Sequence, residues 1–89
     1  MSPREQVLRS VINDDGAAIL DIDRGMITTL NSTGAFIWQE RRRGQSLVAI
    51  VAALAETTGE AIPVIAHDVR LFVEDLESKD LLPHGDDRA

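Results

Sequence analysis

Two glycine-closed turns near the N-terminus constrain this chain more than any other feature. Asn13-Asp14-Asp15-Gly16 and Asp23-Arg24-Gly25 each end in glycine, the residue that accepts positive φ without steric cost. Each turn is flanked by short runs rich in Val, Ile, Leu and Thr. The spacing predicts strands over 6–13 (Val7, Leu8, Val11, Ile12), 17–22 (Ile19, Leu20, Ile22) and 26–30 (Met26, Thr28, Thr29). Strands this short, joined by turns this tight, form an antiparallel meander. Its two outer strands each present an edge of unpaired N–H and C=O groups unless something covers it.

After Leu30 the apolar period changes from two to 3.6. Asn31 or Ser32 can cap a helix that runs to about Arg43 and ends at Gly44, with Gly34, Ile37 and Trp38 as its inward stripe. Ser46 caps a second helix through Leu47, Ile50, Val51 and Leu54, stopped by Thr57-Thr58-Gly59. Pro63 suits the first turn of a third helix, where a missing N–H costs nothing. That helix carries Ile65, Val69, Phe72, Val73 and Leu76 and extends to about Lys79, after which Leu81 and Leu82 fold back onto the body. The expected order is βββααα, an α+β fold of winged helix-turn-helix type. It occupies 6–82, between an N-terminal tail at 1–5 and a flexible C-terminal tail at 83–89.

Length and charge narrow the function. An 89-residue chain with 44% hydrophobic and 27% charged residues is one small globular domain. No apolar run approaches the roughly 20 residues of a membrane span, and the charged N-terminus has no signal-peptide core, so bacterial-type cytoplasm is the expected location. Without cysteine there is no disulfide, thiolate metal site or thiol nucleophile. A net charge of −6 opposes binding to phosphate backbones. The basic cluster Arg41–Arg43 sits beside Gly44 at a helix C-terminus, where it complements the helix dipole.

Chemistry is equally sparse. His67 and His84 have no metal-ligand spacing, and His67 reads as a surface helix residue. Asp14/Asp15 and Asp86/Asp87 belong to a turn and a tail, and Glu74, Asp75 and Glu77 to a solvated helix face. Ser10, Ser32, Ser46 and Ser78 have no histidine in a triad-compatible position, and Ser32 and Ser46 are explained as caps. Neither a catalytic set, a metal site nor a cofactor is expected. Trp38 reads as a core anchor rather than a stacking platform. Leu71 gives the third helix apolar residues on more than one side, a width that suits a groove beside the third strand.

The segments Asp15-Gly16-Ala17-Ala18-Ile19-Leu20-Asp21, Arg24-Gly25 and Leu30-Asn31-Ser32-Thr33-Gly34-Ala35-Phe36-Ile37-Trp38 resemble the PqqD-like peptide-recognition domains. So do Val69-Arg70-Leu71-Phe72-Val73-Glu74-Asp75-Leu76 and Asp80-Leu81-Leu82. These domains are the recognition elements of ribosomal peptide (RiPP) biosynthesis, and the chain is most similar to the stand-alone leader-peptide-binding proteins of lasso-peptide pathways. The resemblance spans about 7–82. Where the family carries an aromatic pair in the third strand, this chain has Ile27 and Thr28, and where the family has Gly-Leu-Leu after the last helix, it has Asp80-Leu81-Leu82.

The resemblance implies a non-catalytic binder that takes the leader segment of a precursor peptide as an extra strand. The expected contacts are Met26, Ile27, Thr28, Thr29 and Leu30 on the third strand and Val69, Phe72, Val73 and Leu76 on the third helix. A leader peptidase and a cyclase of the same pathway are the implied partners, with neither nucleic acid nor membrane among them, and an exposed edge strand would also permit a homodimer. The competing expectation is a DNA-binding winged-helix regulator. It needs a basic recognition helix, whereas the third helix sets Arg70 and the terminal Lys79 against Asp68, Glu74, Asp75 and Glu77, and the second helix has no Lys or Arg.

Overall fold

A computed structural model describes residues 8–83. It contains β1 (Leu8–Asn13), β2 (Gly16–Asp21), β3 (Met26–Asn31), α1 (Ser32–Arg42), α2 (Leu47–Thr58) and α3 (Ile62–Ser78), the expected βββααα order. The chain divides into two compact units, 1–35 and 36–89, with the division falling inside α1. Gln6 and Val7 of the expected first strand, the tail at 1–5, and His84, Asp86 and Asp87 lie outside the described residues. Of the expected C-terminal tail only Pro83 is described, and it is exposed.

The first unit is a meander in the order β1-β2-β3. Asn13 closes its first turn: its side-chain oxygen accepts from the N–H groups of Asp15 (2.8 Å) and Gly16 (3.2 Å). Gly16 opens β2 at φ +147°, and a Cβ there would overlap the Leu30 carbonyl oxygen of β3. Its glycine is therefore demanded by the close approach of a neighbouring strand as well as by the turn. The second turn is built on Asp21, whose carbonyl accepts from Gly25 N–H at 2.8 Å while its carboxylate accepts from Arg24 N–H at 3.2 Å. Gly25, at φ +64°, completes it. Ile22, expected to end the second strand, instead lies exposed in this turn, because Asp21 has already bent the chain.

Pairing runs without interruption, from Leu8↔Asp21 to Asn13↔Gly16 and from Asp21↔Met26 to Gly16↔Asn31. Directly opposed residues of an antiparallel pair share a face. One face therefore holds Ala17, Ile19 and Asp21, all buried, with Met26, Thr28 and Leu30 opposite them. The other holds Ala18 and Leu20 with Thr29 and Ile27.

Asn31 is the residue that starts α1: its side-chain oxygen accepts from Gly34 N–H at 2.8 Å. Ser32, expected to serve as a cap, is the first residue of the helix instead. Gly34, Ile37 and Trp38 are buried, as the stripe predicts.

In the second unit Trp38 is fully buried, and its indole N–H donates to the Leu81 carbonyl at 3.0 Å. The Arg42 guanidinium stands 4.7 Å from the ring centroid, a cation–π contact. Ser46 caps α2 by accepting from Ala49 N–H, and Gly59 ends it in the left-handed region. On α3 the buried residues are Ile65, Val69, Val73 and Leu76, spaced i, i+4, i+8, i+11 as a single helix face requires. The helix ends in a Schellman motif, with Leu81 N–H donating to Leu76 C=O (2.9 Å) and Asp80 N–H to Glu77 C=O (3.0 Å). Asp80 occupies the left-handed position, φ +61°, that glycine usually takes. This motif turns the chain so that Leu81 and Leu82 are buried and the Leu81 carbonyl meets Trp38.

Candidate functional site

The chemistry of the second turn positions the candidate site. Asp21 is the buried charged side chain of the first unit, and its carboxylate holds Arg24 through both the backbone N–H and the guanidinium, whose Nε lies 3.8 Å away. A carboxylate removed from water must be satisfied, so the turn is fixed, and with it the residue at which β3 begins. Asp21 belongs to the stretch that carried the family resemblance, but its role was not assigned from sequence. The signal was available in the spacing Asp21-x-x-Arg24-Gly25, an Asp followed by a glycine-closed turn.

β3 pairs with β2 alone among the described residues, so its second edge carries backbone donors and acceptors with no strand beside them. Along an antiparallel strand successive residues aim these groups alternately toward and away from the neighbour. Met26 and Ile27 are 56% and 67% exposed, Thr29 is exposed, and Thr28 and Leu30 are half-buried. The contrast with β2 is sharp. On the face where Ala17, Ile19 and Asp21 are buried, their β3 partners Leu30, Thr28 and Met26 are only partly covered. An edge of this kind can pair with an added strand. β1, the other outer strand, is also paired on one side only among the described residues, and its residues Arg9 to Asn13 are exposed.

The third-helix residues fall out differently. Val69, Val73 and Leu76 are buried, whereas Phe72 is half-buried and Leu71 is 50% exposed. Of the four named on α3, Phe72 is therefore the one that offers ring surface in the free chain.

The basic cluster is occupied internally. Arg41 donates to the Gln45 carbonyl (2.8 Å), Arg42 covers Trp38, and Arg43 pairs with Glu40 at 3.0 Å. On α3, Asp75 pairs with Lys79 at 3.0 Å, and His67 is exposed. Among the described residues no group of His, Cys, Asp and Glu could hold a metal ion, and no helix is long and apolar enough to cross a membrane.

Fold and edge together define the class: a small α+β module whose meander ends in an open strand, followed by a helical trio. The model of one family, "Coenzyme PQQ synthesis protein D (PqqD)", matches residues 16–82. The chain belongs to the PqqD family. Among solved structures it is similar to one described as TbiB1 in complex with the TbiA(beta) leader peptide, at 28% identity and a TM-score of 0.79. That alignment covers 89% of this chain and 93% of the other. No curated protein sequence matches the chain significantly.

Proposed function

We propose that this chain is a leader-peptide-binding recognition element of ribosomal peptide biosynthesis, of the lasso-peptide type. The observation that carries the reading is the open edge of β3 in a fold that superimposes on a leader-peptide complex. The leader adds as a strand along Met26, Ile27, Thr28, Thr29 and Leu30. Main-chain hydrogen bonds supply affinity but read little sequence, so discrimination comes from side chains. On α3, Phe72 is half-buried and keeps ring surface that can read side chains, whereas Val69, Val73 and Leu76 are buried.

The chain acts in the cytoplasm without catalysing a reaction. It holds the precursor while a leader peptidase and a cyclase of the same pathway process it. Recognition and chemistry are thereby divided between proteins. The test is titration of the purified chain with the synthetic leader segment, followed by amide chemical shifts, with duplex DNA at moderate salt as a second arm. One-to-one leader binding with the largest shifts at 26–30 is expected. Binding of DNA in preference to leader, or cleavage of the precursor by the chain alone, would overturn the proposal.

A further inference from the structure

The second unit has an apolar groove lined by none of the residues proposed to meet the leader. It lies between the first turns of α2 and the first half of α3, encloses about 340 Å³, and is lined chiefly by Val48, Val51, Ala52, Ile62, Ala66 and Arg70. Val48 is 79% exposed and Ile62 57%. Apolar side chains this open, on two packed helices, form a patch rather than scattered surface residues. Neither cap nor core explains them: Ser46 starts α2, and Ile50 and Val51 supply its buried face.

Three features of the groove specify what fits it. The spacing from Ile62 to Arg70 along α3 gives it a length of roughly 12 Å, about two helical turns. Its walls are helices whose backbone groups are bonded within each helix, so it can pair with no guest backbone. An extended peptide would bury unsatisfied N–H and C=O groups there, whereas a helix brings its own satisfied. Arg70 is the one charged lining residue, and among the described residues it makes no ion pair or hydrogen bond. A cation at the end of an apolar trough favours a guest that places a carboxylate against it, and does so locally, against the overall charge of −6. A second copy of this chain is the wrong guest, because a two-fold interface through this patch places both Arg70 side chains in it with no lining carboxylate.

We propose that the α2–α3 groove docks a short amphipathic helix of a partner protein, its apolar stripe against Val48, Val51 and Ile62 and an acidic residue meeting Arg70. The probes are two stapled fourteen-residue helical peptides with leucines at i, i+3, i+4 and i+7. They differ by Glu or Lys one residue beyond the stripe. Each is titrated against the full chain by fluorescence anisotropy and amide chemical shifts, with decanoate as a third probe and sedimentation reporting self-association.

The Glu peptide is expected to bind and to shift the amides of Val48, Ala52, Ile62, Ala66 and Arg70. Val48→Gln, at an exposed position, leaves the melt unchanged and weakens binding about tenfold. Arg70→Glu weakens the Glu peptide about threefold to fivefold and strengthens the Lys peptide correspondingly. The proposal is overturned if neither peptide shifts these amides, if the Arg70→Glu swap leaves the preference unchanged, if decanoate binds there more tightly than the Glu peptide, or if the chain self-associates through the patch. Leader binding at β3 is scored separately, so failure here leaves that reading intact.

Discussion

β3 and α3 both carry residues expected to contact a leader peptide, and the two sets differ in exposure. On β3 the named side chains are exposed or half-buried; on α3, three of the four are buried and only Phe72 is half-covered. The lesson concerns what an apolar stripe means. On an edge strand the missing neighbour leaves backbone groups unpaired, and the apolar side chains keep whatever surface no cross-strand residue or second layer covers. On a helix packed into a core, the same residue types at i, i+4, i+7 are consumed by folding. Substitutions on β3 should therefore register first in binding, and those on the buried face of α3 first in the melt.

The largest effect tests the core that supports α3. Trp38→Ala is expected to cost about 3–5 kcal/mol, because it removes a fully buried ring and leaves the Leu81 carbonyl without its donor. Thermal melting checks this, and an unchanged melt would remove Trp38 from the core. Leu76→Ala should follow at about 2–4 kcal/mol, with leader affinity intact wherever the protein remains folded. Selective loss of affinity instead would make Leu76 a contact and erase the contrast between helix and strand.

Next comes the strand. Proline at Thr28 or Thr29 deletes one N–H, and the two deletions are not equivalent, since alternate residues face β2 and the open edge. One variant should lose stability by about 1–3 kcal/mol, the cost of leaving the partner of the lost ladder bond unpaired. The other should stay folded and lose at least tenfold in leader affinity. Two parent-like variants in melting and titration would rule out strand addition at β3.

Phe72→Ala sharpens the comparison from the other side. A half-buried ring should give a smaller melt shift than Leu76→Ala and a several-fold loss in leader affinity by titration. The smallest effect is expected for Asp75→Lys. It breaks an exposed pair with Lys79, whose contribution to stability is about 0–1 kcal/mol, and it should leave leader affinity unchanged. A large loss in titration would move the contact surface to the acidic face of α3.

Much of this was legible in the residues because it is local chemistry. Asn13 and Gly16 bound the first turn, Gly25 closes the second, Asn31 and Ser46 cap helices, and Gly59 ends one. Each acts on groups within four residues of itself, so position in the chain suffices to read it. The fold order, the inward stripe of α1 and the burial of Trp38 follow from the same local patterns. Other roles were not local. Gly16 also makes room for the Leu30 carbonyl, and Trp38 finds its acceptor at Leu81, forty-three positions on. No spacing rule links such pairs.

What the sequence by itself determined was therefore the list of elements, their order and their ends, since turns and caps are set by neighbours along the chain. Only the tertiary structure decided which apolar residues are core and which are surface. Val69 and Phe72 are three residues apart on one helix, and propensity treats both as core. Burial separates them, because it depends on what the rest of the chain places over each side chain. The same holds for Arg70. Its charge is written in the sequence, but its place at the end of an apolar groove exists only once α2 and α3 have packed.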